Sequence, residues 1–269
     1  MSDNLPATQE EKEALAALQA DGLTGLEDFS VEDQVMPRLQ IVHKEAKFED
    51  SLSGMKYDEL NVILLGLIKQ RIMWAVDVDD GDQPLCKSYD FKTGHPNQKE
   101  FPWNETPFSQ GDEELSCSSC PLKEWGSHPQ RDTPWCSEQH TLPLLMLDED
   151  GTPVAPALFS LQRSGIKPSR NYLSSFAQKQ RPLFTVVTRL TLVAQSRGSV
   201  DYAVPKFQAG DATDTSLWRD FAEHYKTIKA YITTPPQGGD TSSESEGDAA
   251  PATASDQSSD DSDDDDLPF

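Results

Sequence analysis

The chain has 269 residues, of which 46 are acidic and 23 are lysine or arginine, so its formal net charge is −23. It has no run of about 18 apolar residues and no basic start followed by an apolar stretch, which argues against a membrane-spanning helix and a signal peptide. We therefore expect a cytoplasmic protein with no membrane partner.

The charge is distributed unevenly along the chain. Residues 1–35 contain nine acidic residues and one basic residue, and residues 233–269 contain eleven acidic residues and no basic residue. Residues 151–232, in contrast, contain eleven basic and five acidic residues. A positive segment within an acidic protein indicates a binding site for a polyanion.

Residues 1–35 are predicted to form an acidic N-terminal arm. Thr8 and Glu11 have the spacing of a helix capping box and Gly22 is a stop signal, so we expect a short helix in this arm. The alternation of Leu39, Ile41 and His43 then predicts a strand.

The longest apolar segment runs from Leu60 to Val78 and is rich in valine and isoleucine. It predicts one long curved strand, or two consecutive strands, with a bend or bulge at Gly66. A helix is the competing prediction, because periodicity does not distinguish short apolar runs.

The second half of the chain predicts two hairpins and two helices. The turns of the hairpins are expected at residues 148–151 and 196–199. Ser169 is the expected N-cap of the helix between them. The apolar faces of the two helices comprise Tyr172, Leu173, Phe176 and Ala177 in the first and Leu217, Trp218, Phe221, Tyr225 and Ile228 in the second.

This order of elements predicts a mainly β protein with a few helices, of the α+β class. A long bent strand, a hairpin, a helix and a second hairpin are the elements of an OB-fold, a five-stranded barrel, which we place over residues 36–232. Residues 85–140 would form a zinc-binding insertion, and residues 233–269 a disordered acidic tail.

The insertion contains all four cysteines, spaced C-x30-C-x2-C-x15-C. They are Cys86, Cys117, Cys120 and Cys136. A C-x2-C pair and two flanking thiols suit a structural zinc with no open coordination position. The insertion is poor in aliphatic residues, so we expect it to lack a core of its own and to depend on the metal for stability.

Other interpretations of the cysteines remain open. An iron-sulfur cluster also takes four thiolates, and the cysteines could be four unrelated thiols. A redox pair is disfavoured because the C-x2-C does not begin a helix after a strand. His128 and His140 are close enough in sequence to serve as substitute ligands.

The sequence contains no phosphate-binding loop, dinucleotide fingerprint, zinc-protease signature or nucleophile elbow. Asp77, Asp79 and Asp82 could hold a divalent cation, although a solvated turn is the simpler interpretation. We therefore expect a protein that is not an enzyme.

Basic residues alternate with aromatic residues in the positive segment, as in grooves that hold single-stranded nucleic acid by phosphate contacts and base stacking. The candidate DNA-binding residues are Arg163, Lys167, Arg170, Tyr172, Lys179, Arg181, Arg189, Arg197, Tyr202 and Lys206. For any single aromatic residue, ordinary core packing is the simpler interpretation.

The chain ends in four aspartates followed by an apolar tip. These residues are Asp263, Asp264, Asp265, Asp266, Leu267, Pro268 and Phe269. This ending resembles the tail tip of bacterial single-stranded DNA-binding proteins, in which an acidic run precedes an aliphatic residue, proline and phenylalanine. Leu267 stands where that family more often has isoleucine. The resemblance implies that the tip docks on a replication or recombination protein (a polymerase, helicase, primase or recombinase) and competes with DNA for the basic groove.

A zinc-containing OB-fold body with an acidic tail is similar to the single-stranded DNA-binding proteins of tailed bacteriophages. Some of those proteins have a zinc subdomain with mixed histidine and cysteine ligands, whereas this chain offers four cysteines. The resemblance implies a protein of the host cytoplasm that coats single-stranded DNA during phage replication, recombination or repair.

Two other functions are also compatible with the sequence. The chain could be an acidic DNA mimic or adaptor that binds a DNA-processing protein without binding DNA. A nuclease or primase-like enzyme is the third alternative, weakened by the lack of an open metal site or phosphate loop.

Overall fold

The computed structural model describes residues 35–77, 83–148, 150–197 and 200–235, together with Ala14. The chain divides into two units, residues 1–36 and 37–269, and the description below concerns the second. Ala14 is helical; the rest of the predicted arm helix and the tail tip lie outside the described residues, so the limits of the three predicted segments remain predictions.

The described part is mainly β, with twelve strands and two α-helices, as predicted. The strands are β1 (Arg38–Val42), β2 (Lys47–Asp50), β3 (Lys56–Tyr57), β4 (Glu59–Leu64), β5 (Ile68–Met73), β6 (Cys86–Ser88), β7 (Thr93–Pro96), β8 (Leu115–Ser116), β9 (Cys136–Leu147), β10 (Pro153–Gln162), β11 (Val186–Arg197) and β12 (Val200–Ala212). The helices are α1 (Ile166–Gln178) and α2 (Trp218–Thr233). No described helix is long and apolar enough to cross a membrane.

The long apolar segment forms two consecutive strands, β4 and β5, that meet at Gly66. A Cβ atom at Gly66 would overlap the ring of Tyr225 in α2. The Tyr225 hydroxyl donates a hydrogen bond to the backbone oxygen of Leu67 over 3.0 Å. The bend is therefore the place where α2 docks on the sheet.

Strand β9 lies at the centre of the sheet. It pairs along its length with β10 as the first predicted hairpin, and its other edge pairs first with β5 and then with β4. The second predicted hairpin, β11 with β12, joins the sheet through β4. The two halves of the bent strand thus bring both hairpins into one sheet.

The predicted closure of a five-stranded barrel is not seen among the described strands. The edge of β10 that faces away from β9 pairs in parallel with β1, not with β12. A hydrogen bond crosses from β12 to the end of β1, where the Ala203 N–H donates to His43 Nδ1 over 3.2 Å. The N-terminal strand thus occupies the edge of β10 that would have closed the barrel.

The main hydrophobic core lies between the bent strand and the two hairpins. Its buried side chains are Leu39, Phe48, Leu60, Val62, Leu64, Leu142, Leu144, Met146, Ala157, Phe159, Leu161 and Leu190. They come from alternate positions of the long strands, which is the pattern of sheets with one face on the core.

The insertion has a second hydrophobic core, so the expectation that it lacks one was wrong. Its buried side chains are Met73, Leu85, Cys86, Phe101, Leu115, Leu122, Trp135 and Cys136. Trp103 and Phe108 pack against this cluster. Large aromatic rings and thiols supply the apolar surface here, and counting aliphatic residues missed it.

The first helix begins earlier than predicted, because a single turn of 3-10 helix at Arg163–Gly165 leads directly into α1. Ser169 is therefore inside the helix and is not its N-cap. Its side chain is fully buried and donates to the Ile166 carbonyl over 2.9 Å. In α2 the predicted stripe is confirmed at Phe221 and Ile228, which are buried.

Candidate metal centre and nucleic-acid interface

The fold brings the four cysteines together from three places in the insertion. Met73 in β5 pairs with Cys86 of β6 on one side and Cys136 of β9 on the other, so these side chains share a face of the sheet. Cys117 follows β8, and Cys120 immediately precedes a short 3-10 turn.

All four cysteines line one cavity of about 20 Å³, which is about the space of one small ion or water. Gly94 forms part of the wall. A Cβ atom there would lie 3.1 Å from Cys86 Sγ and 3.6 Å from Cys117 Sγ. The absence of a side chain at Gly94 thus leaves room for the sulfurs of Cys86 and Cys117 beside its backbone.

Two kinds of surroundings shift the pKa values of the thiols in opposite directions. Burial raises the pKa of all four, that of Cys136 to about 12. Two groups favour the ionised sulfurs: the Leu122 N–H at Cys120, and the charge of Arg71 at Cys136, whose carbonyl accepts from Arg71 Nη1 over 3.5 Å. Buried thiolates need a compensating cation, and the donors prepare the sulfurs for one.

All four cysteines are free thiols, a donor set that suits zinc. Within the described residues, however, no three His, Cys, Asp or Glu side chains are arranged to hold a metal ion. His128 and His140 do not line the cavity. Asp77 is exposed, and Asp79 and Asp82 lie outside the described residues.

Six basic residues belong to the segments that surround the start of β9 and the start of α1. We call this group the basic junction: Lys69, Arg71, Arg131, Arg163, Lys167 and Arg170. Lys69 and Arg71 pair across strands with His140 and Glu138. Arg170 Nη2 lies 3.6 Å from Glu138 Oε2, which joins α1 to the same point.

Glu138 is the carboxylate at the centre of the basic junction. Its Oε1 lies 3.3 Å from Lys69 Nζ and 2.8 Å from His140 Nε2. Burial opposes ionisation of Glu138, but the hydrogen bond from His140 and the charge of Lys69 outweigh it, and the pKa falls. One acidic group thus offsets part of the charge of several cations.

Ser169, His140 and Glu138 form a chain that resembles a hydrolase triad. Ser169 Oγ lies 3.4 Å from His140 Nδ1. The serine and the histidine are both almost fully buried, and the serine donates to Ile166. A nucleophile must reach its substrate, so we interpret the chain as a structural link between α1 and β9.

The remaining cations of the basic junction are not neutralised. Arg131, Arg163 and Lys167 make no ion pair or side-chain hydrogen bond with any described residue. Desolvation and then the charge of Arg131 lower the pKa of Arg163. Neighbouring unpaired cations favour a bound anion.

The other predicted DNA-binding residues lie elsewhere. Lys179 is exposed at the end of α1, and Arg181 donates to the side chain and backbone oxygen of Thr185. Tyr172 is half-buried against the main core, stacked on Phe207 with ring centroids 5.5 Å apart, and its hydroxyl lies 2.8 Å from that of Thr188.

The second hairpin carries the last four predicted residues. Arg189, Lys206 and Tyr202 lie on one face of the hairpin. Lys206 pairs with Thr191 and Tyr202 pairs with Gln195, and both partners are an even number of residues from Arg189 along β11. Arg189 forms an ion pair with Glu59. Arg197 ends β11, and its side chain is outside the described set.

Sequence reasoning missed Lys69, Arg71 and Arg131, half of the basic junction. Lys69 and Arg71 are two residues apart in β5, and this spacing was the available signal for two cations on one face. Arg71 and Lys69 also lie over the ring of Phe91, 4.4 Å and 5.3 Å from its centroid.

A family model described as Pam3 phage gp34-like protein matches residues 116–233. The match begins just before the C-x2-C pair and ends at the last residue of α2. It supports a phage protein, and the description of the family names no ligand. No curated protein and no solved structure matches the chain.

Proposed function

We propose that the protein binds single-stranded DNA, with weak dependence on sequence, during phage replication, recombination or repair. The observation that carries this proposal is the basic junction. Three of its cations have no acidic partner among the described residues, and phosphate groups are the anions that such a cluster takes up along a nucleic-acid backbone.

The position of the basic junction agrees with the way in which OB-type arrangements of strands bind DNA. In OB-folds, the face of the second and third strands and the adjoining loops bind oligonucleotides. The corresponding elements in this chain are β9, β10 and the insertion before β9. The basic junction lies at the ends of β9 and β10 that adjoin the insertion.

The four cysteines would hold a structural zinc ion. Such an ion would supply the cation that four thiolates in this cavity need and would fix the short strands of the insertion against β5 and β9. Because Arg71 lies beside both the cysteines and Glu138, zinc would also hold one wall of the basic junction in place.

The acidic tip would recruit a partner. Asp263 to Asp266 can be attracted to a basic surface, while Leu267, Pro268 and Phe269 supply a compact apolar group for a pocket. A polymerase, helicase, primase or recombinase is the class of partner that we propose for it.

DNA binding is tested by a fluorescence-anisotropy titration of labelled oligo-dT with the full chain at about 50 mM salt, where phosphate contacts are strong. We expect binding to the single strand and weaker binding to a duplex of the same length. An absence of binding to both would overturn the proposal and favour the acidic adaptor.

Zinc is tested by metal analysis of the purified protein. We expect one zinc per chain, reduced in Cys117→Ser and retained in the neighbouring control Ser119→Ala. Iron with a visible absorption band would indicate a cluster instead, and metal-free protein of unchanged stability would contradict a structural metal.

A further inference from the structure

Trp125 lies on the surface of the insertion. Its side chain is 76% exposed, whereas Trp135 in the same segment is 9% exposed. A single exposed apolar residue needs no special explanation. The local structure around Trp125, however, fixes its position and places it in a segment that also supplies a cation to the basic junction.

A tight turn holds the backbone at Trp125. The Ser127 N–H donates to the Glu124 carbonyl over 3.3 Å, and Gly126 has a φ of +76°. These are the features of a type II turn, in which the third position favours glycine. Trp125 occupies the second position, where a side chain points away from the turn.

The turn is anchored to the rest of the insertion. Ser127 Oγ accepts from the Trp135 N–H over 2.9 Å and donates to the Leu122 carbonyl over 2.8 Å. Leu122 and Trp135 belong to the core of the insertion. The exposed ring is therefore presented by fixed backbone, which lowers the entropic cost of binding a flat ligand.

The same segment leads to the basic junction. The His128 N–H donates to the Thr133 carbonyl over 3.1 Å and the Arg131 N–H to the His128 carbonyl, so the loop turns back on itself. The charge of Arg131 at this return acts on Arg163 of the body, and neither forms an ion pair with a described residue. An exposed aromatic ring and one of these two cations thus come from one short stretch.

We propose that the insertion is itself part of the DNA site: Trp125 stacks on an unpaired base, and Arg131 with Arg163 binds a phosphate of the same strand. This inference rests on the proposed function and names the chemistry of one subsite. Tryptophan offers a large flat ring to any base, and arginine offers a planar set of donors to phosphate.

The test compares two labelled probes, oligo-dT and an abasic oligonucleotide of the same length, with the full-length protein. The wild type should bind oligo-dT more tightly than the abasic probe. Trp125→Ala should weaken oligo-dT binding roughly tenfold and remove most of that preference, while Trp125→Phe should keep much of it. The control is Tyr231→Ala, which removes another exposed aromatic side chain, 53% exposed, from α2.

The phosphate contact is tested separately by the salt dependence of binding. Arg131→Ala should lower the slope of log affinity against log salt by about 0.7, the value for one phosphate of a single strand. Arg131→Lys should restore the slope, and Trp125→Ala should leave it unchanged.

Each failure is distinguishable. Wild-type binding to oligo-dT with no loss in Trp125→Ala would overturn the stacking subsite and leave the proposed function standing. An unchanged salt slope in Arg131→Ala would overturn the phosphate contact. A wild type that binds neither probe would overturn both this inference and the proposed function.

Discussion

At the scale of single residues, Gly66 controls the docking of α2. A methyl group there would overlap the ring of Tyr225. We predict that Gly66→Ala lowers the free energy of unfolding by about 2 kcal/mol, the usual cost of overpacking, as measured by urea denaturation. Tyr225→Phe should cost about 1 kcal/mol through the lost hydrogen bond to Leu67.

Tyr231→Phe is the matched control, since it removes a hydroxyl from the exposed side of the same helix. It should leave stability unchanged. If Gly66→Ala were as stable as the wild type, the close contact between the bend and α2 would be wrong.

His43 makes the contact between β1 and β12 sensitive to pH. Burial lowers its pKa from the ordinary value of 6.5. As the pH falls, the unfolded state therefore takes up a proton at His43 before the folded state does. The contribution of neutral His43 to stability is fully present above about pH 6.5 and is lost progressively below it. Protonation of Nδ1 would also remove the acceptor for the Ala203 N–H.

The urea midpoint of the wild type should therefore fall between pH 7 and pH 5. Other buried histidines contribute to this fall, so the informative quantity is the difference from His43→Gln, which has no titrating group at this position. We expect a flatter pH profile for the variant. Two parallel profiles would show that His43 does not couple folding to pH.

At the scale of elements, Glu138 joins β5, β9 and α1. Its carboxylate contacts Lys69, His140 and Arg170. We predict that Glu138→Gln lowers the free energy of unfolding by about 1 kcal/mol, since charge-assisted hydrogen bonds are lost from a partly buried group. The same change should tighten binding to oligo-dT at low salt, because the basic junction loses its central negative charge.

These opposite effects distinguish a charge at the binding surface from a purely structural carboxylate. Glu223→Gln removes the same charge from an exposed ion pair with Arg219 in α2 and should change neither quantity much. Weaker DNA binding in Glu138→Gln would contradict the location of the site.

The elements that the sequence predicted well are those with local signals. Turn residues fixed both hairpins, and Gly66 located the break in the long strand. Ser169 misled the prediction of the helix start because its hydroxyl bonds within α1 and the preceding 3-10 turn supplies the first residues. The parallel pairing of β1 with β10 has no local signal, since the partners are far apart in the chain.

At the scale of the whole molecule, charge is segregated between the positive segment and the acidic ends. We predict that removing residues 236–269, which contain eleven acidic residues, tightens DNA binding at low salt. The cause would be the loss of an internal competitor for the basic junction, and the gain should disappear at high salt because exposed charges are screened. Equal affinities of the two forms at low salt would contradict this competition.

The candidate site was only partly predictable from the sequence, because it depends on long-range strand pairing, as the sheet does. Arg163, Lys167 and Arg170 are close in sequence and stood out as basic residues on one segment. Lys69, Arg71 and Arg131 join them only because β5, the insertion and α1 meet at β9. Long-range pairing, which no spacing in the sequence reports, thus determines which cations share a surface.

The central claim is that phosphates bind at the basic junction, and the most direct test is the salt dependence of oligo-dT affinity in charge variants. We predict that Arg163→Ala with Lys167→Ala lowers the slope of log affinity against log salt by about 1.4, the value for two phosphates of a single strand. Arg219→Ala with Lys226→Ala removes the same charge from the exposed surface of α2 and should leave the slope unchanged. Equal slopes in both double variants would contradict the claim.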